Sequence, residues 1–206
     1  MSVTIELNFV FYYILSPRNG FLKMKLKFSI KTITFCALFS ALIAIGAFIK
    51  IPGPLVPFTL QFLFCNLCGM LLGSKKGIIA VLVYIFLGLI GFPIFTQGGG
   101  FSYIFQPTFG YIIGFALGVF VIGFITERLK TITIPSLFLA SLAGLSAVYI
   151  IGLPYYYIIT NYYLNSGINI DKLLIYCFLL FLPTDLFVCF ISTFLGKRLV
   201  PIFKNK

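Results

Sequence analysis

Thirteen of the fifteen lysines and arginines lie in alternate gaps between long apolar segments, and the remaining gaps hold only Lys50 and Lys172. This alternation is what a chain threaded repeatedly through a bilayer carries, because cationic loops are retained on the cytoplasmic side. The chain is 61% hydrophobic and 9% charged. A soluble domain of this size has too little polar surface to cover that much apolar side chain, so most of the solvent must be lipid. The net charge of +11 does not point to nucleic acid. Its cations stand in short clusters beside apolar runs, where attraction to the cytoplasmic leaflet accounts for them.

Apolar runs near twenty residues long predict six helices: about Lys31–Phe48, Phe58–Leu72, Gly77–Phe95, Pro107–Thr126, Pro135–Tyr157 and Leu173–Leu195. Pro135 suits a first helical turn, and Pro183 in the last run predicts a kink. Arg18, Lys23, Lys25, Lys27 and Lys31 precede the first helix, and Lys75 and Lys76 separate the second from the third. Arg128 and Lys130 separate the fourth from the fifth, and Lys197, Arg198, Lys204 and Lys206 follow the sixth. The expected fold is an all-α integral membrane protein of six transmembrane helices, with both termini cytoplasmic and ordered outward loops 1–2 and 3–4. Residues 24–206 form its single domain. Residues 1–23 fit poorly: Phe9–Leu15 is too short to span, and Ser16-Pro17-Arg18-Asn19-Gly20 breaks it. They read as an upstream over-extension of the reading frame or a mobile tail.

The outward loops carry the informative residues. Between the first two helices, Pro52, Pro54 and Pro57 make a stiff extended segment ending at Phe58. Between the third and fourth, Gln97 is followed by Gly98, Gly99 and Gly100, flanked by Phe and Tyr up to Tyr111. Glycines let backbone amides approach a ligand closely, and the start of the next helix adds its positive dipole end. The same stretch also fits an ordinary glycine-rich turn with interfacial aromatics. No Lys-Ser/Thr follows the glycines, so this is not a phosphate loop.

Asp185, in Leu182-Pro183-Thr184-Asp185-Leu186, is the one acid well inside an apolar run. A carboxylate near a bilayer centre costs about 2.5–3.5 kcal/mol on insertion scales, so a functional acceptor role is its default reading, the alternative being a solvated acid near the helix entrance. In the first helix, Ala37, Ala41 and Ala44 belong to a stripe of small residues that lets a helix of this chain or of a partner approach closely. Cys65 and Cys68 form a CxxC, but there is no second pair and no histidine in the chain. Helix packing suits these thiols better than a metal or redox site.

Five stretches, in order, resemble the BioY family: Ile51-Pro52 with Val56–Gln61, then Gly88–Phe95, Gly98–Gly100, Pro107–Tyr111 and Leu182–Leu186. The resemblance covers roughly residues 30–200. It implies a six-helix, biotin-binding S component of an energy-coupling-factor (ECF) transporter in the cell membrane of a prokaryote. Such a component pairs with a transmembrane coupling subunit and two cytoplasmic ATPases, toward which Ala37, Ala41 and Ala44 would face. The chain departs from the family pattern at Thr184, where many relatives carry glycine, at Val188, where several carry lysine, and at Gly98 and Ile112, where some carry asparagine and arginine.

Together the residues and the resemblance imply that biotin enters from outside. Phe58 and the loop aromatics pack its rings, Asp185 accepts from a ureido N–H, and Gln61 or Gln97 donates to the ureido oxygen. The carboxylate lies toward the Gly98–Gly100 amides, the next helix start, Lys50 or Lys172. No catalytic residues, metal or cofactor are expected, biotin being cargo. A bilayer serine or zinc enzyme generally needs histidine, and a paired-acid mechanism needs a second carboxylate. The alternative is a self-sufficient facilitator or secondary carrier, which the lack of several intramembrane acids or histidines disfavours.

Overall fold

The computed structural model describes residues 29–53 and 55–204; the reading of residues 1–23 falls outside them. The chain is mostly helical. Helix α1 spans Ile30–Phe48 and leads into a two-stranded antiparallel ribbon, β1 (Lys50–Ile51) and β2 (Phe58–Thr59). The register pairs Lys50 with Thr59 and Ile51 with Phe58. Pro52 and Pro57, which lack an N–H, lie just outside the ladder, where none is needed.

Helix α2 then runs Gln61–Leu89, where the sequence predicts two helices and an intervening loop. The difference is physical. The break contracts to Gly73, at φ 78° and ψ −176°, a conformation open essentially to glycine alone, and Lys75 and Lys76 are already helical. On a straight helix Gln61 and Tyr84 would stand about 35 Å apart, yet the Gln61 carboxamide donates to the Tyr84 hydroxyl at 2.8 Å. Cys68 Sγ likewise reaches the Gly77 carbonyl at 3.7 Å. Residues 61–72 and 74–89 are therefore antiparallel. The restarted helix leaves its first amides without carbonyls, and Glu127 supplies oxygens: Oε1 accepts from the Ser74 N–H and Oε2 from its hydroxyl, both at 2.9 Å. An acid also suits the positive end of a helix.

Helix α3 spans Phe109–Arg128, after a 3₁₀ turn at Phe101–Phe105. Helix α4 spans Ile134–Ile158, opened by a Thr133–Ser136 capping box with Pro135 in its first turn, and passes into a π-helical turn at Ile159–Tyr163. α3 and α4 approach closely at glycines: a Cβ on Gly118 would sit 3.0 Å from the Gly144 carbonyl, and one on Gly114 2.8 Å from that of Val148. Small residues of this kind bring helices together in lipid, where apolar burial drives nothing.

Helix α5 (Ile170–Leu174) continues as a π-helical turn through Leu179, and α6 begins afresh at Leu182 and runs to Lys204. Pro183 thus sits in a first turn instead of kinking a continuous helix. Five segments are long and apolar enough to cross a membrane among the described residues: 30–48, 61–89, 109–128, 134–163 and 170–203.

Among the described residues, the cation clusters collect at one end of this bundle. Ser74 and Glu127 tie the Lys75–Lys76 turn to the end of α3. Val200 packs in one cluster with Met70, Ile122 and Leu137, bringing the C-terminal part of α6 to the same end. The Cys36 thiol reaches the Lys76 carbonyl at 3.5 Å, so α1 also starts there. The ribbon and Lys50 lie at the opposite end.

Candidate functional site

A cavity opens at the ribbon end. It encloses about 680 Å³ of space, its open mouth included. Its floor is apolar, formed by Phe62, Ile112, Phe115, Leu145 and Val148. Phe62 and Phe115 stack at 6.4 Å between ring centres. Val56, Pro57 and Phe58 of the proline-rich segment border the cavity, and Phe58 lies flat on Phe181 at 5.0 Å and 4°.

The polar groups come from a few elements. Asp185 lines the cavity from the first turn of α6. Its amide and that of Thr184 both donate to the Phe181 carbonyl, so the fresh helix start holds the acid where the dipole favours negative charge. Tyr149, in the middle of α4, donates its hydroxyl to Asp185 Oδ2. Its ring is fixed edge-on by Phe178 at 4.9 Å and Tyr111 at 6.2 Å. Tyr111 in turn donates to the Cys177 carbonyl at 3.1 Å. The helix ends tightly there, since the Phe181 amide, which a regular helix would offer to Cys177, goes to Phe178 in a 3₁₀-type bond.

Gln61 stands on another wall, 3% exposed. Its oxygen accepts from the Thr59 hydroxyl at 3.3 Å and its nitrogen donates to Tyr84, while Tyr84 donates to the Ile94 carbonyl. A carboxamide held at both ends keeps one further donor and acceptor for a ligand. The segment between α2 and α3 contributes Thr96 and Thr108. Thr96 shares a 2.9 Å hydrogen bond with Tyr103. The Thr108 hydroxyl is buried and has no partner among the described residues. The cavity can hold a flat, partly apolar molecule, accept a hydrogen bond with a charged oxygen at Asp185, and offer neutral donors on two other walls.

Phe58, Gln61, Tyr111 and Asp185, all singled out from sequence, line this cavity together. Gln97 and Gly98–Gly100 do not. Gln97 is exposed, and two of the glycine amides donate to backbone carbonyls, Gly98 to Phe95 at 3.2 Å and Gly100 to Gly88 at 2.7 Å. Positive φ at Gly98 and Gly100, and a Cβ that would meet the Phe92 carbonyl at 2.1 Å from Gly99, account for the run as a tight turn. Tyr149, Thr96 and Thr108 were missed. The clue for Tyr149 was available: a buried carboxylate needs a donor, and Tyr149 is a hydroxyl-bearing residue deep in an apolar helix. Ala37 and Ala41 are exposed on α1 and Ala44 is half-buried, whereas Ser40 and Ala47 turn inward.

A profile of the BioY family matches residues 13–205. The probable biotin transporter BioY of Lysinibacillus sphaericus is 43% identical over 174 residues, covering 84% of this chain and 89% of that protein. The biotin transporter BioY of Thermotoga maritima is 38% identical over 164 residues, covering 79% and 91%. The crystal structure of an S-component for biotin from an ECF-type ABC transporter superimposes with a TM-score of 0.72 at 31% identity, covering 82% of this chain and 90% of its own. These relatives are named as transporters or transporter components, which bears out the non-enzymatic reading.

Proposed function

The chain belongs to the BioY family, and from that premise we infer that it is the S subunit through which a prokaryotic cell takes up biotin. The observation that carries the reading is a single carboxylate, Asp185, held by Tyr149 in a cavity whose floor is apolar and whose other polar groups are neutral. Biotin has matching parts: a urea with two N–H donors and one carbonyl, a fused apolar ring system, and a flexible chain ending in a carboxylate. Asp185 accepts from the urea, a charge-assisted hydrogen bond of roughly 1.5–3 kcal/mol. Gln61 donates to the urea oxygen, and Phe58, Tyr111 and Phe115 flank the rings.

The chain crosses the plasma membrane six times, with the two antiparallel halves of α2 as separate crossings. The end bearing Lys75, Lys76, Arg128 and Lys197 is cytoplasmic by the positive-inside rule, so the cavity opens outward. No cofactor takes part, since biotin is cargo. The exposed Ala37 and Ala41 of α1 meet the transmembrane coupling subunit, and two ATPases supply the energy. The test is binding of radiolabelled biotin to purified protein, challenged with desthiobiotin and lipoate. Desthiobiotin, which keeps the urea, competes; lipoate, a carboxylic acid without one, does not. Equal competition by lipoate would contradict urea recognition at Asp185.

A further inference from the structure

The walls of the cavity differ in charge. Asp185 and Tyr149 come from α6 and α4, whereas Thr96 and Thr108 come from the segment between α2 and α3. A ligand carboxylate is repelled from Asp185 and must find its donors elsewhere. Val188 and Ile112 are buried apolar side chains and offer none.

One cation reaches the second wall. Lys50, paired across the ribbon with the cavity-lining Thr59, donates from Nζ to the carbonyl of Thr96 at 2.6 Å. Among the described residues this is the only hydrogen bond from a lysine or arginine to a residue lining the cavity. An ammonium has three donors, and Thr96 takes one. The unpartnered Thr108 hydroxyl lines the same cavity. Lys172, also outside the cation-rich end, stands exposed on α5 with no such tie.

Lys50 is not itself among the lining residues, but the Thr96 carbonyl ties it to one that is. We propose that Lys50, held there beside the cavity, is a specificity-determining residue that selects ligands ending in a carboxylate. The inference rests on the biotin reading and gives its two ends separate holders: the urea at Asp185 and the acid at Lys50.

The test compares biotin with biotinamide, which keeps the urea and rings and lacks the negative charge. Calorimetric titration of both into the unsubstituted protein, Lys50→Gln and Lys50→Arg separates the possibilities. The unsubstituted protein prefers biotin by roughly five- to tenfold. Lys50→Gln loses that preference by weakening biotin alone, and Lys50→Arg retains it. The preference shrinks as sodium chloride is raised, as a partly exposed ion pair requires. Unchanged biotin affinity in Lys50→Gln, or an equal loss for both ligands, would overturn the proposal while leaving the biotin reading intact. Failure of the unsubstituted protein to bind either compound would remove the biotin reading itself, and the inference with it.

Discussion

Asp185 is costly where it stands and is kept in one orientation by a tyrosine from another helix. That arrangement separates stability from binding. Exchanging the carboxylate for a carboxamide removes a charge from apolar surroundings and preserves an oxygen for the Tyr149 hydroxyl. Asp185→Asn is therefore expected to leave the thermal midpoint of the ligand-free protein unchanged or raise it, while biotin affinity falls by at least roughly tenfold. Tyr149→Phe leaves the charge but frees its orientation, so its loss of affinity is smaller than that of Asp185→Asn. Paired calorimetry and thermal unfolding check both statements. An Asp185→Asn protein that binds biotin normally, or a Tyr149→Phe protein that binds more weakly than Asp185→Asn, would contradict this assignment.

At the scale of elements, apolar run length located most helices to within a few residues, because lipid thickness imposes length on any spanning helix. Residues 58–95 were harder, since the reversal there takes a single glycine and no loop. Its stability is correspondingly local. Alanine at Gly73 must adopt a φ of 78°, and its Cβ would lie 2.0 Å from Glu127 Oε1. Backbone strain of this kind costs of order 1–3 kcal/mol, to which the disturbed Ser74–Glu127 contact adds. Gly73→Ala is expected to lower the thermal midpoint clearly while Gly91→Ala, at positive φ with nothing within 4 Å of its Cβ, lowers it less. Equal effects would mean that the Glu127 contact contributes nothing. The restart of α6 after Phe181 was only half legible: Pro183 announced a disturbance, but the preceding π-helical turn has no mark in hydropathy.

Over the whole molecule, the cations of the Lys75–Lys76 turn and of the ends of α3 and α6 gather at one end and the candidate cavity opens at the other, and the charge pattern made the first of these ends readable. The candidate site was legible where a residue is chemically out of place, as with Asp185 in an apolar run, or where a family motif carries it, as with Gln61. It was not legible where ordinary residues come to line the cavity through folding. Tyr149 and Thr108 lie in segments distant from Asp185 in sequence, and only the packing of α3, α4 and α6 brings them to one cavity. The glycine run carries two readings for a related reason: turn formation and ligand contact ask for the same residue, and here backbone carbonyls take the Gly98 and Gly100 amides. The most direct measurement is a structure of the protein with biotin bound. The urea is expected within hydrogen-bond distance of Asp185, with the fused rings between Phe58 and Phe115 beneath the ribbon. Biotin seated at the Lys75–Lys76 end, away from Asp185, would contradict it.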